Sequence, residues 1–265
     1  MSGREAPRLS FAEAQTFLGQ YWGKRSGVLR KTQLLDAGQL FRALIVASDM
    51  YRESGDNGHR YALYVNGAQI LPDLAGYLPI AADRDPEGYE QRLMRGLGVG
   101  SFSLFVSGME AFSSALYDNA RAFLTELFKY TGVPAHLAEL ELFLGRYHST
   151  PGGIHNEHCH NLHWVIAGEK TIYTWHELTY PFLAQAACSV QEATSKTEEI
   201  YLYNARVEDF KGLSVPLHGR SGDILYWPRR FWHVGESPSL SLSISIRLYM
   251  EPRPDLILHH RWRRL

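Results

Sequence analysis

Gly153-Ile154-His155-Asn156-Glu157-His158-Cys159-His160-Asn161-Leu162-His163-Trp164 packs four histidines and a carboxylate into one short run. Imidazole and carboxylate groups at this density signal a metal site. Side chains two apart in an extended strand share a face, so His155 and Glu157 can offer two ligands to one ion. A third ligand has to come from a distant segment. Gly222-Asp223-Ile224-Leu225-Tyr226-Trp227-Pro228-Arg229-Arg230-Phe231-Trp232-His233 runs through a Gly-Asp turn, an aromatic strand and a Pro bend before ending in a histidine.

His233 is therefore the candidate third ligand. An HxE pair alone is short enough to arise by chance, and most single histidines are structural or surface residues. The independent setting of His233 is what raises the pair above chance. Two histidines and one carboxylate on one face leave coordination positions open, the arrangement associated with non-haem Fe(II) oxygenases.

Downstream of the run, residues 161–166 and 169–175 read as two strands around an Ala167-Gly168 turn. A hairpin would set Val165 opposite Lys170, His163 opposite Ile172 and Asn161 opposite Thr174. With parity carried from Glu157, all of them face the metal side. A lysine pointing into such an interior is costly unless an anion meets it, so Lys170 predicts a buried carboxylate ligand. The alternative for Lys170 is a solvated position beside the turn.

Residues 240–249 alternate apolar and small polar positions, with Ser241, Ser243, Ser245 and Arg247 on one face. Arg247 either continues a solvated exterior or reaches into a barrel interior, where it would be a second anion clamp or a substrate contact. His158, Cys159 and His160 are placed around the mouth of the site without ligating, and Trp227 and Trp232 in the core or pocket wall.

The chain has 265 residues, 45% hydrophobic and 21% charged, which suits one large globular domain over residues 1–265. Its formal net charge of -1 gives no global reason to expect nucleic acid or a membrane surface. No stretch has the length of a membrane helix and the first residues lack a signal-peptide core, so a cytoplasmic location is expected. Cys159 and Cys188 read as reduced thiols.

The first half reads as mostly helical. Helices are expected over residues 10–21, capped by Ser10 with Glu13, and over 34–50, 86–97 and 112–131. Short strands are expected at 28–29, 60–65 and 101–106, with a loop at 54–58. Gly132 and Pro134 mark the end of the last helix. The second half is strand-rich, over 140–147, the histidine run, 201–203, 224–227 and 240–249, and argues for an antiparallel sandwich or barrel. Residues 8–135 would surround a core of residues 140–250. Residues 254–265, rich in Arg and His, are either a homodimer contact or a solvated tail.

These residues together resemble the JmjC and cupin-like branch of the 2-oxoglutarate-dependent oxygenases, which includes protein asparaginyl hydroxylases and ribosomal oxygenases. The pattern is HxD/E, then an Asn and a G-x-K unit, then G-D-x-L-Y-x-P-x-x-x-x-H. Here it reads His155-Asn156-Glu157, Asn161, Gly168-Glu169-Lys170, and Gly222 through His233. The resemblance covers residues 140–250, and more weakly 11–30. It implies an α+β fold with a mainly β core, a double-stranded β-helix (jelly-roll or cupin) barrel with the helical half packed around it. It also implies that His155, Glu157 and His233 hold Fe(II). Lys170 would pair with the distal carboxylate of 2-oxoglutarate, and Asn161 and Thr174 would add hydrogen bonds. Glu157 stands where the hydroxylases usually have Asp, as it does in the demethylase members.

The activity so implied is that of a dioxygenase. It would consume O2 and 2-oxoglutarate, release succinate and CO2, and hydroxylate a C–H bond of a peptide, protein side chain or amino-acid-like molecule. No nucleic-acid or membrane partner is expected. The alternatives are an N-methyl demethylase with the same iron chemistry, a three-histidine cupin using His158, His160 and His233 without 2-oxoglutarate, and a binding module without turnover.

Overall fold

Local sequence signals set the helices. In the computed structural model, which describes residues 11–30, 34–55, 59–70, 73–98, 100–135, 138–178, 189–193, 197–202 and 205–250, α1 is Phe11–Gln20 and α2 is Ala37–Ser54. Asp36 fixes the start of α2: its carboxylate accepts from the backbone N–H of Gly38 at 3.0 Å and of Gln39 at 3.3 Å. The helix consequently begins later than its apolar spacing predicts, and it runs on to Gly55, whose φ of +79° ends it. After the single turn α3, Leu74–Tyr77, comes α4, Pro86–Leu97, with the expected bounds and with Asp85 capping Gly88 at 2.7 Å. The expected helix from residue 112 starts instead at the Ser113 cap, as α5, Ser114–Thr131, because residues 109–112 form a tighter 3-10 turn. The last, α6, is Val207–Lys211. The Ser10 cap, Cys188, Tyr203 and residues 254–265 lie outside the described residues.

The strands are β1 Gly27–Leu29, β2 Tyr61–Val65, β3 Ala68–Ile70, β4 Phe102–Ser107, β5 Ala138–Tyr147, β6 His155–Glu157, β7 His160–Ala167, β8 Glu169–Trp175, β9 Ser189–Ala193, β10 Thr197–Tyr201, β11 Val215–Arg220, β12 Ile224–Trp227 and β13 Trp232–Leu248. One sheet runs in the order β1-β12-β7-β13-β5-β4-β2-β3. The other runs β9-β10-β6-β13-β8-β11. All pairings are antiparallel. Among the described strands β13 alone belongs to both sheets: Trp232 to Glu236 pair with β6 and β8, and Ser237 onward with β5 and β7. The architecture is the expected α+β fold with a jelly-roll core.

The expected hairpin across Gly168 does not form. Strands β7 and β8 do not pair, because both edges of β7 are taken by β12 and β13, and both edges of β8 by β11 and β13. Gly168, at φ +73°, turns the chain from one sheet to the other, and a Cβ there would strike the carbonyl oxygen of Leu240. The predicted set of inward residues nevertheless holds. A corner between two facing sheets keeps the same alternation directed inward as a hairpin would.

The outer face of the larger sheet, with Leu142, Leu144, Trp164, Ile244 and Ile246, packs against Leu40, Phe41 and Leu44 of α2 and Leu116, Phe123 and Leu127 of α5. Trp164 meets Phe123 edge-to-face at 4.7 Å. Helices thus cover one sheet from outside, and the space between the sheets is left for the polar stripe. A smaller apolar cluster of Val165, Ile172, Leu217, Leu225, Trp227 and Phe231 closes one end of that space.

Candidate active site

Strand parity brings the polar stripe together. Between the sheets lies a cavity of about 370 Å³, including its open mouth, lined on the smaller sheet by His155 and Glu157 of β6, Lys170 of β8 and His233 of β13, and on the larger sheet by Asn161 and His163 of β7, Glu141 of β5, and Ser245 and Arg247 of β13. His155, Glu157 and His233 each offer one ligand atom, all within 4.8 Å of one another. The strand pairing His233↔His155 forces this proximity.

Each histidine is oriented in the same way. Nδ1 of His155 lies 3.0 Å from the Gly153 carbonyl oxygen, and Nδ1 of His233 lies 3.1 Å from that of Phe231. A carbonyl can only accept, so Nδ1 carries the proton and Nε2 is left as the donor atom for a metal. The Tyr201 ring stacks on His155 at 5.3 Å. Burial, reinforced by His155, holds the His233 imidazole well below the usual range, so it is neutral, as a metal ligand requires.

Glu157 is 9% exposed. Burial would raise its carboxyl, but the Arg247 guanidinium first, and the Asn161 hydrogen bond with it, hold it well below the usual range. Its Oε1 accepts from Nη2 of Arg247 at 2.9 Å. Oε2 accepts from Nδ2 of Asn161 at 2.9 Å and lies 3.6 Å from Nε2 of His233. Arg247 therefore faces the interior, as does the whole Ser241, Ser243, Ser245 face of β13.

Lys170 is 2% exposed and sits deeper than the triad, with Nζ 4.5 Å over the Phe143 ring and a long 3.4 Å contact to the Ser243 hydroxyl. Burial, only partly opposed by Glu141, lowers its ammonium to about 7. Two further buried ring nitrogens in the cavity wall, Nε2 of His163, a donor or an acceptor according to tautomer, and the donor Nε1 of Trp227, have no hydrogen-bond partner. Burial lowers His163 well below its ordinary range, with Lys170 adding to the effect. A buried ammonium beside two unsatisfied ring nitrogens fits a carboxylate guest.

The structure brings together His155, Glu157, His233, Asn161, Lys170 and Arg247. Thr174 is not among the residues lining the cavity; its hydroxyl is committed to Ser26 at 2.7 Å and to the Val215 carbonyl at 3.0 Å. His160 is not at the mouth. It points to the other side of β7, where Trp22 stacks on it at 4.2 Å and the Tyr226 hydroxyl lies 2.9 Å from its Nδ1. Cys159, fully buried, lies inside, with its thiol donating to Oε2 of Glu157 at 3.6 Å. Glu141 was not singled out from the sequence. The signal was there: it interrupts an apolar run at the parity that faces the interior.

No protein-family model matches this chain, and no curated protein matches it. Solved structures share its fold. The X-ray structure of E. coli YcfD is 13% identical, with a TM-score of 0.50, and the match covers 92% of this chain and 54% of that one. The crystal structure of Escherichia coli ribosomal oxygenase YcfD is 14% identical, with a TM-score of 0.50, over 95% of this chain and 54% of that one. YcfD in complex with cobalt and 2-oxoglutarate is also 14% identical, with a TM-score of 0.50, over 92% of this chain and 53% of that one. This chain spans about half the length of those structures.

Proposed function

We propose that this chain is an Fe(II)- and 2-oxoglutarate-dependent oxygenase that hydroxylates a C–H bond of a peptide, protein side chain or amino-acid-like molecule. The observation that carries the reading is one cavity holding both the His155, Glu157 and His233 triad and, deeper, the buried Lys170. The donor set fits a divalent metal: two imidazoles whose Nδ1 is held by a backbone carbonyl, leaving Nε2 for the ion, and one ionised carboxylate, with room for other ligands. The deep pocket fits a dicarboxylate cosubstrate, since the Lys170 ammonium and the unsatisfied indole N–H of Trp227 both line it. YcfD has been solved with cobalt and 2-oxoglutarate, which agrees with this reading.

When bound, iron with 2-oxoglutarate would supply the oxidising power, using O2 and giving succinate and CO2. The protein's own part is positional. His155, Glu157 and His233 would fix the ion on one face and leave the others open. Lys170 would anchor the far carboxylate of the cosubstrate, and Asn161 would steady Glu157 from beside it. The apolar cluster behind Ile172 and Leu225 excludes water from that end. His160 lies outside the cavity, so the three-histidine arrangement has no support.

The test is turnover with defined metals. The purified chain, reconstituted with Fe(II), should convert 2-oxoglutarate to succinate, and His155→Ala should stop it. Equal succinate release by wild type and His155→Ala would sink the proposal. A metal-bound chain that ignores 2-oxoglutarate would point instead to a cupin of another kind.

A further inference from the structure

Arg247 is a guanidinium enclosed by three carboxylates. It is 6% exposed, donates from Nη2 to Oε1 of Glu157 at 2.9 Å, and places Nη1 3.6 Å from Glu141 and 3.9 Å from Glu139. Strand register holds it there, with Arg247 opposite Asn161 on one side and Glu139 on the other. We propose that Arg247 is a positioning residue for the metal centre. By holding Oε1 in a charge-assisted bond it presents Oε2 of Glu157, the oxygen facing His233, to the ion and makes the glutamate a single-oxygen ligand. This inference rests on the triad being a metal site.

The argument starts from side-chain length. Glutamate has one methylene and one torsion more than aspartate, so an unbraced Glu157 could swing, or chelate through both oxygens and close a coordination position. Arg247 holds Oε1 in a charge-assisted bond, whereas Oε2 accepts from the neutral Asn161 amide at 2.9 Å and, weakly, from the Cys159 thiol at 3.6 Å. A thiol at that distance gives way to a metal ion, and Oε2 is the oxygen that lies 3.6 Å from Nε2 of His233. Arginine suits the task better than lysine, because its planar fork can face Glu157 and Glu141 at once and stays charged when buried.

The competing account is that the ion pair only ties β13 to β5 and β6. A probe of the ion itself separates the two. Co(II) would be titrated into the full chain, following its visible absorption and its affinity, for wild type, Arg247→Gln, Arg247→Lys and the double variant Arg247→Gln with Glu141→Gln. The double variant leaves the net charge of the cluster unchanged, and its folding is checked by thermal melting. A positioning role predicts that it melts near wild type, yet binds Co(II) about 10- to 100-fold more weakly, with shifted absorption bands. Arg247→Lys, which keeps the charge but not the fork, should show the same band shift and carries the test if the other variants fail to fold. Glu157→Asp, with its shorter reach, should make Co(II) affinity less sensitive to Arg247→Gln.

A folded Arg247 variant with native affinity and a native spectrum would overturn the proposal. If His233→Ala abolishes Co(II) binding while the Arg247 variants keep it, only the role of Arg247 fails. If His233→Ala binds Co(II) like wild type, the metal reading itself fails.

Discussion

The imidazoles of His155 and His233 lie with ring centroids 4.1 Å apart, each with Nδ1 held by the backbone carbonyl two residues before it. Both are thereby committed to the tautomer whose Nε2 can bind a metal. Replacing either with alanine removes a ligand itself, so the loss of Mn(II) or Co(II) affinity should exceed the roughly 10- to 100-fold typical of supporting residues. Equilibrium dialysis would measure it.

His160→Phe should behave in the opposite way. His160 lies against Trp22 and the Tyr226 hydroxyl, outside the triad. The variant should lose some stability, about 1–3 kcal/mol for the Tyr226 hydroxyl contact left incomplete, and keep its metal. Metal loss in a well-folded His160→Phe protein would revive the three-histidine arrangement.

Lys170 makes a prediction in pH. Its folded value is lowered from 10.5 to about 7, so between those values the unfolded chain holds a proton that the folded one does not, and stability rises with pH through that window. Lys170→Met should flatten this rise and be the more stable protein near neutral pH. A dicarboxylate needs the ammonium, so its binding should take up about one proton above pH 7 and weaken as pH rises, by up to about tenfold per unit. Calorimetry with 2-oxoglutarate in buffers of different ionisation heat reads the proton directly; no proton uptake above pH 7 would contradict the anchoring role.

Trp164→Ala tests the seam between helices and sheet. Trp164 is fully buried against Phe123, and its removal should cost about 3–5 kcal/mol, seen as a lower denaturation midpoint with unchanged metal ligands.

Much of this arrangement was legible because strand alternation is a strong signal. Parity puts His155, Glu157, Asn161 and His163 on one face, the hairpin expected across Gly168 adds Lys170, and the turn and bend before His233 mark it as the third ligand. What the alternation could not supply was pairing. It suggested a hairpin across Gly168, whereas the two strands sit in different sheets, since residues on one strand say little about which neighbour fills each edge. For Arg247 the serines before it suit an exposed face or a polar interior equally, and only burial beside Glu157 and Glu141 decides. Thr174 was placed on the correct face, but its hydroxyl is drawn away by Ser26 and the Val215 carbonyl. Cap residues explain the helix bounds: Asp36 and Ser113 outweigh the apolar spacing before them.

Strand β13 carries His233 where it pairs in one sheet and Arg247 where it pairs in the other. An ion held by His155, Glu157 and His233 would therefore act as a rivet between the two halves of the barrel, adding stability in proportion to the logarithm of its concentration over its dissociation constant. Chelation should then lower the temperature at which the sandwich opens, with Trp232 fluorescence among its reporters. The same 17-residue strand makes the barrel's mechanical coherence and its capacity to bind metal a single inherited property.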